Sequence, residues 1–359
     1  MRRFFSVQNM NLYTCAARCL LACAIVLAQL AAAAAPYADV LGQPSLASPL
    51  AAHALINGLA LAGKRLVGAG QRGHIVYSDD GGATWRQASV PVSSDLVALQ
   101  FPTPRQGWAV GHDGVVLHTA DGGASWRRQM DGNRIPALLR ATYDHDGVDP
   151  ALRTAAMRLA GQGADQPLLD VWFDNEHSGY VVGAFNLIFH TEDGGASWQP
   201  WLDRVPNPSS YHLNAIRSIA GDTLIAGEQG LLLKLAPDRS RFVTLPAPYQ
   251  GSWFGLTGGP GVLLVYGLRG NAFRSADGGV SWSRVDTGVR VGLTAATTLP
   301  DGRLLLVSQA GQVLLSGDHG ASFQPLRQAA AGPASAVVAL DKHGIVLGGL
   351  RGLRRQPLP

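Results

Sequence analysis

Short apolar runs recur along the chain in a fixed order, each closed by a turn that contains glycine. In one copy Leu96–Phe101 is the first run, Gly107–Gly111 (GWAVG) the second and Val115–Thr119 the third, and Trp126 opens a fourth after a polar turn. Runs this short, β-prone and glycine-separated predict strands of an antiparallel meander. The copies can be aligned on their closing aromatic residues, Trp85, Trp126, Trp198, Phe242, Trp282 and Phe323. These fall roughly 40 residues apart, the length of one four-stranded propeller blade, except for one interval that is longer by about thirty. A seventh copy follows Phe323, with Ala334–Leu340, GIVLGG from Gly344, and Leu353 onward, but without a fourth run. The pattern therefore predicts an all-β, seven-bladed β-propeller over residues 36–359. Pro36–Ser45 is expected to supply the missing outer strand, so that the two termini close the ring and remove its free edges.

The long interval reflects an insertion at residues 130–166, whose periodicity changes from strand-like to helical. Ile135–Tyr143 (IPALLRATY) and Pro150–Ala160 (PALRTAAMRLA) predict two short helices between blades two and three. Asp149 is placed to cap the second helix, Pro150 suits its first turn and Gly161 its end. Leu152, Ala155, Ala156 and Leu159 share one apolar face, which either rests on the propeller or is presented to a partner. Between the helices, DHDGVD (Asp144, Asp146, Asp149) lacks the loop length and terminal glutamate of an EF-hand, so no metal is expected.

The first 35 residues depart from the pattern altogether. Arg2, Arg3 and Arg18 precede the apolar run Leu20–Ala35, which ends in five alanines, as in a secretory signal peptide; a membrane anchor is the competing reading. Cys15, Cys19 and Cys23 are the only cysteines and all fall in this leader, so a processed chain enters an oxidising compartment with no disulfide to form. The formal net charge of +4 includes three leader arginines, and the remainder is close to electrical balance, which argues against nucleic acid. With 47% hydrophobic and only 15% charged residues, the chain has ample material for a core and is not a disordered polyelectrolyte.

The polar turns are close copies of one octapeptide: Ser78–Trp85 (SDDGGATW), Thr119–Trp126 (TADGGASW), Thr191–Trp198 (TEDGGASW), Ser275–Trp282 (SADGGVSW) and Ser316–Phe323 (SGDHGASF). They resemble the Asp-box, or BNR repeat. Blade four departs from it, with Pro237, Arg239 and Arg241 at the Asp, Gly and Ser positions. A motif used once per blade is a staple: Asp80, Asp121, Asp193, Asp277 and Asp318 accept backbone hydrogen bonds and the aromatic packs between blades. GWAVGHDGVVLHTADGGASW (Gly107–Trp126) and GYVVGAFNLIFHTEDGGASW (Gly179–Trp198) further resemble the photosystem II stability/assembly factor family in its non-photosynthetic bacterial branch. The resemblance covers nearly all of the chain after the leader, except 130–166. It implies a non-enzymatic seven-bladed propeller, without cofactor, that helps assemble membrane complexes from the lumenal or periplasmic side. In proteobacteria it further implies association with exporters of the resistance-nodulation-division type. A membrane-protein complex or exporter subunit is thus the expected partner and the periplasm the expected location.

Strand order divides the loops between two faces. The Asp-boxes occupy one. The turns between second and third strands share the other with the blade-to-blade connections, including the insertion. On that second face the residues preceding the turn glycine, or its equivalent, are Arg72, Asp113, Asn186, Gln229, Arg269, Ala310 and Arg351. Three arginines near one ring form either solvated turns or a cationic rim able to fork onto carboxylates of a partner.

Hydrolysis is the rival function, because Asp-boxes also occur in sialidases. The three-arginine pocket of such enzymes has no counterpart before the first box, where Ala51–Arg65 reads AAHALINGLALAGKR, and beyond the leader there are three glutamates, Glu176, Glu192 and Glu228. Only Glu228, with Arg217 and Tyr211 as neighbours, is left as a constellation. A further alternative is a carbohydrate or small amphiphile in the central channel, held by Trp253, Tyr211 and Arg217.

Overall fold

In a computed structural model, residues 38–326 and 332–359 are described, and Val40–Pro359 forms one contact unit. The proposed leader lies outside the described residues. The meander expected from the apolar runs is realised as seven antiparallel sheets among the described residues, six of four strands and the last of three, each built from consecutive strands. Inner strands are Ile56–Ala62, Leu96–Gln100, Leu168–Phe173, Leu213–Ile219, Trp253–Gly259, Leu293–Thr298 and Ala334–Asp341 in blades one to seven. The second strands behind them, such as Gly107–Gly111 and Gly179–Gly183, are buried along their whole length, which explains their unbroken apolar runs.

The Asp-boxes are staples, as their repetition requires. Asp80 Oδ1 accepts the Ser78 hydroxyl at 2.7 Å and the Ala83 and Thr84 amides at 3.0 and 2.9 Å, while Oδ2 accepts the Thr84 hydroxyl at 2.6 Å. Gly81 and Gly82 both sit at positive φ, 69° and 86°, a sequence of conformations that a side chain resists. The leading-hydroxyl bond and the bonds from the second amide and its hydroxyl recur at Asp121, Asp193, Asp277 and Asp318. Each box aromatic packs onto the preceding blade: Trp126 against Val67 and Ala69, Trp198 against Phe173 and the Trp108 cluster, Phe323 against Leu264 and Tyr266. Trp282 joins the blade-four cluster, and Trp85 packs on Leu353 of blade seven. In blade four Asp238 replaces the box with a tighter turn, accepting the Ser240 amide and hydroxyl.

Closure of the ring differs from the expectation. Val40–Ser45 contributes no strand to blade seven; it lies along the connection between blades one and two, where Val40 O accepts from Ser93 N and Ser45 N donates to Val90 O. Leu41 is buried beside Val90, Val92 and Trp126. Proline and glycine in this stretch favour a short 3-10 turn at Val40–Gly42 over an extended strand. Blade seven instead meets blade one through side chains: Val338 and Val346 pack with Leu66, and Ser335 Oγ donates to Ile56 O at 2.9 Å.

The insertion forms α1 (Ile135–Tyr143) and α2 (Pro150–Gly161). Their apolar faces rest on the propeller: Ile135, Leu139, Tyr143, Ala156 and Leu159 are buried with Met130, Leu168, Trp198 and Leu202. Asp149 caps α2 by accepting from Ala151 N and Leu152 N, each at 3.0 Å. Gly161 is the last helical residue, and Gly163, at φ 73°, makes the left-handed turn. Asp144 pairs with Arg153 at 2.6 Å, so Asp144 and Asp149 of the DHDGVD string serve the helices. No helix among the described residues is long and apolar enough to cross a membrane.

Candidate functional site: the turn face and the channel mouth

Every inner strand carries a one-residue bulge at the same place, just inside the face that bears the second-to-third-strand turns. The extra residues are Asn57, Val97, Leu169, Asn214, Phe254, Thr294 and Ser335. A bulge sharpens the local twist and re-aims its side chain, here around the channel mouth. Four of these side chains reach the first inner-strand residue of the next blade: Asn57 Nδ2 to Leu96 O and Asn214 Nδ2 to Trp253 O at 2.9 Å, Thr294 Oγ1 to Ala334 O at 2.7 Å, and Ser335 to Ile56. Val97, Leu169 and Phe254 leave the rest of the mouth apolar.

Outside this ring the turns are single 3-10 units whose central residue is left-handed: Arg72 (φ 54°), Asp113 (57°), Phe185 (55°), Gln229 (52°) and Arg269 (58°). Backbone conformation thus holds these side chains outward, and Arg72, Phe185, Gln229, Arg269 and Arg351 are exposed. Asn186 is not among them. In blade three it replaces the turn glycine at φ 69°, is buried, and accepts a 2.9 Å bond from Asn207, so Phe185 occupies the rim position. Asn tolerates the left-handed region well enough to stand in for glycine, which is why alignment on the turn glycine misplaced this blade. Asp113 is partly covered by the insertion, its carbonyl accepting from Gly132 N at 2.7 Å.

Arg269 does not stand alone. With Arg284 and Arg290 it lines a cleft of about 280 Å³ at the connection from blade five to blade six. Asp286 shares that cleft, with its carboxylate turned to cap Gly288 N at 3.0 Å. The turn face also carries the exposed apolar side chains Phe185, Phe254, Leu268, Val291 and Leu350. Arginine forks interleaved with exposed apolar side chains are the composition of a protein-binding surface.

The central channel holds a cavity of about 530 Å³ reached by all seven inner strands. Of the sequence-derived channel residues only Arg217 lines it. Trp253 is fully buried between blades, and Tyr211 is held in the preceding loop by Asn207. Nor do Arg217 and Glu228 form a pair: Glu228 accepts from His212 N at 2.9 Å, whereas Arg217 Nη1 donates to Asp170. The position two beyond the start of the inner strand is Gly58, Ala98, Ala215, Gly255, Ala295 or Ala336 in six blades and Asp170 in blade three. Asp170 is 5% exposed, and Oδ2 also accepts Ile216 N at 2.8 Å while Oδ1 accepts Val171 N at 3.0 Å. Burial pushes this carboxyl above the ordinary range against the pull of Arg217 and the two amides. In blade five, Tyr266 reaches the cavity where other blades carry aliphatic residues or glycine; a Cβ on Gly255 would stand 2.2 Å from its hydroxyl. Burial first, then Asp170, raises the Tyr266 phenol to about 12 although Arg217 opposes the rise, so it remains a hydrogen-bond donor at neutral pH. Among the described residues no group of three acidic, histidine or cysteine side chains converges as a metal site.

A model of the family described as "Photosynthesis system II assembly factor YCF48" matches residues 64–143 and 151–246. This chain resembles the photosystem II assembly factor family. The match includes α1 and nearly all of α2, where the resemblance was expected to break, and leaves blades five to seven unmatched. Photosystem II assembly lipoprotein Ycf48 of Synechococcus sp. (strain CC9902) is 28% identical over 168 residues, 45% of this chain and 49% of the relative, so the match spans about half of that protein. A solved structure of YCF48 bound to D1 peptide superposes with a TM-score of 0.64 at 17% identity, covering 88% of this chain and 96% of that one. YCF48 from Cyanidioschyzon merolae gives 0.63 at 14%, covering 86% and 97%. At these identities the assembly-factor structures speak to the propeller fold.

Proposed function

We propose that this protein is a non-enzymatic accessory propeller of the periplasm that captures a segment of a membrane-protein partner, an exporter of the resistance-nodulation-division type, on its turn face. The observation that carries the reading is the joint display there of Arg72, Arg269 and Arg351 with Phe185, Phe254, Leu268, Val291 and Leu350. Charge steers and aligns an acidic segment, while the apolar side chains supply the desolvated contact that holds it. A protein-binding role accords with the resemblance to the assembly-factor family, one of whose solved structures is of YCF48 with a D1 peptide. The left-handed turns at Arg72, Phe185 and Arg269 favour it too, because their backbone is already ordered before a partner binds.

The experiment is capture from detergent-solubilised native membranes, comparing the wild type with Arg72→Glu/Arg269→Glu/Arg351→Glu. An exporter subunit retained by the wild type and lost by a variant of unchanged melting temperature is the expected result. Equal recovery by both proteins would remove the rim from the mechanism. Failure of the wild type to retain any membrane protein would remove the accessory role.

A further inference from the structure

Besides the polar bulge residues and His112, three consecutive blades place a charged or phenolic side chain in the channel lining: Asp170 from blade three, Arg217 from blade four and Tyr266 from blade five. Their hydrogen bonds reveal what the three lack. The Asp170 carboxylate is spent on Val171 N, Ile216 N and Arg217 Nη1. Arg217 Nη1 is spent as well, on Asp170 and on Ile216 O at 2.6 Å. What remains is a set of donors: Arg217 Nε and Nη2, and the Tyr266 hydroxyl, make no hydrogen bond to the protein among the described residues. Tyr266 is 6% exposed and lines the cavity, where its hydroxyl lies over Gly255 at the wall. A donor at such a wall is satisfied by water or by an acceptor on a ligand.

The surroundings define the rest of the ligand. Leu59, Leu99, Leu256 and Val337 line the same cavity, whose volume lies within the ordinary range for small-molecule sites. Asp170 is the one acidic side chain of the lining, and it is already paired, so the lining offers a cation no free carboxylate. The Nδ2 donors of Asn57 and Asn214 are committed to the neighbouring blades, so they do not compete with Arg217 and Tyr266 for a head group. We infer that the channel is a binding site for a small aliphatic carboxylate, its head group accepting from the free edge of Arg217 and from Tyr266 and its chain lying against the leucines. This site is separate from the turn-face arginines and does not depend on the accessory role. Asp170 acts as a positioning residue, fixing the guanidinium so that one edge faces the cavity.

Calorimetric titration of the purified protein with octanoate, and in parallel with 1-octanol, tests the assignment. Saturable octanoate binding at least about tenfold tighter than octanol is expected, the margin of one well-placed charged hydrogen bond. Arg217→Gln should lose about tenfold or more and Tyr266→Phe about threefold to tenfold, with the turn-face triple variant unchanged. Because Arg217→Gln leaves Asp170 without its partner and risks unfolding, Tyr266→Phe serves as the decisive variant. Absence of saturable octanoate binding, equal affinity for octanol, or undiminished binding by folded Tyr266→Phe would each overturn the site.

Discussion

The Asp-box carboxylates have properties that follow from their bonds alone. Each accepts from a hydroxyl on one side of the turn and from an amide and a hydroxyl on the other, so its ionised form is favoured in the folded chain. The Ser281 and Ser322 hydroxyls lead in holding Asp277 and Asp318 at about 2, and Thr84 leads in holding Asp80 lower still. A depressed folded-state value means that the stabilisation is complete above the unfolded value of about 4 and is lost as pH falls toward 2. Thermal melts of the wild type should therefore be nearly flat in the neutral range and drop steeply between about pH 4 and 2. Asp277→Asn/Asp318→Asn should start lower at pH 7 and show a shallower acid limb. Parallel curves for the two proteins would show that these carboxylates titrate alike in both states. Single residues also mark where sequence reading stopped. The boxes are legible because five turns repeat one string. Asp170 and Tyr266 were not, because each is a single departure from a column of small or aliphatic residues, and that column appears only when the inner and second strands are set side by side.

At the level of elements, the insertion shows why the helices could be predicted while their placement stayed open between two alternatives. Caps and periodicity are local, so Asp149 and the apolar face of α2 could be read directly; what covers the helices is decided by packing against blades two and three. The anchor is Tyr143. Its hydroxyl donates to Asp203 at 2.7 Å and accepts the Leu202 amide at 2.9 Å, both beyond the outer strand of blade three. Burial, then Asp203, raises its pKa well above the usual tyrosine range, so it stays a neutral phenol under physiological conditions. Tyr143→Phe removes these bonds, and a third to Pro200 O at 3.1 Å, but keeps the ring, leaving a buried amide unpaired at a cost of about 1–3 kcal/mol. Urea unfolding is expected to show that loss with an unchanged slope, since the exposed surface stays the same. A midpoint equal to that of the wild type would mean that the helices are held by their apolar faces alone. In its described part the segment predicted as a strand, Pro36–Ser45, does not form one, for a related reason: the need of a three-stranded blade for a fourth strand says nothing about whether a proline- and glycine-bearing segment will extend.

For the molecule as a whole, the seven blades are not joined equally. The junction of blades two and three carries the largest apolar cluster, running from Trp108 through Phe173 to Leu202 and incorporating both helices, with Trp108 and Phe173 stacked 3.6 Å apart. The junction of blades seven and one is held among the described residues by small clusters around Ile56 and Leu66 and by the bond from Ser335 to Ile56. Local opening follows the density of buried apolar contacts, so a closed ring should part first where that density is least. Hydrogen exchange at rising denaturant should release the amides of Ala334–Asp341, Gly344–Gly349 and Ile56–Ala62 before those of Gly107–Gly111 and Leu168–Phe173. Ser335→Ala should advance only the first group, by removing a bond worth about 1 kcal/mol across that seam. If all seven inner strands exchange together at the global unfolding free energy, the ring is a single cooperative unit and the seam between first and last blades is as strong as any other. An early-opening seam would have a functional consequence, because Arg72 and Arg351 stand on its two sides: a partner bridging them would close the ring as it binds, and the protection of Ile56–Ala62 would rise on capture.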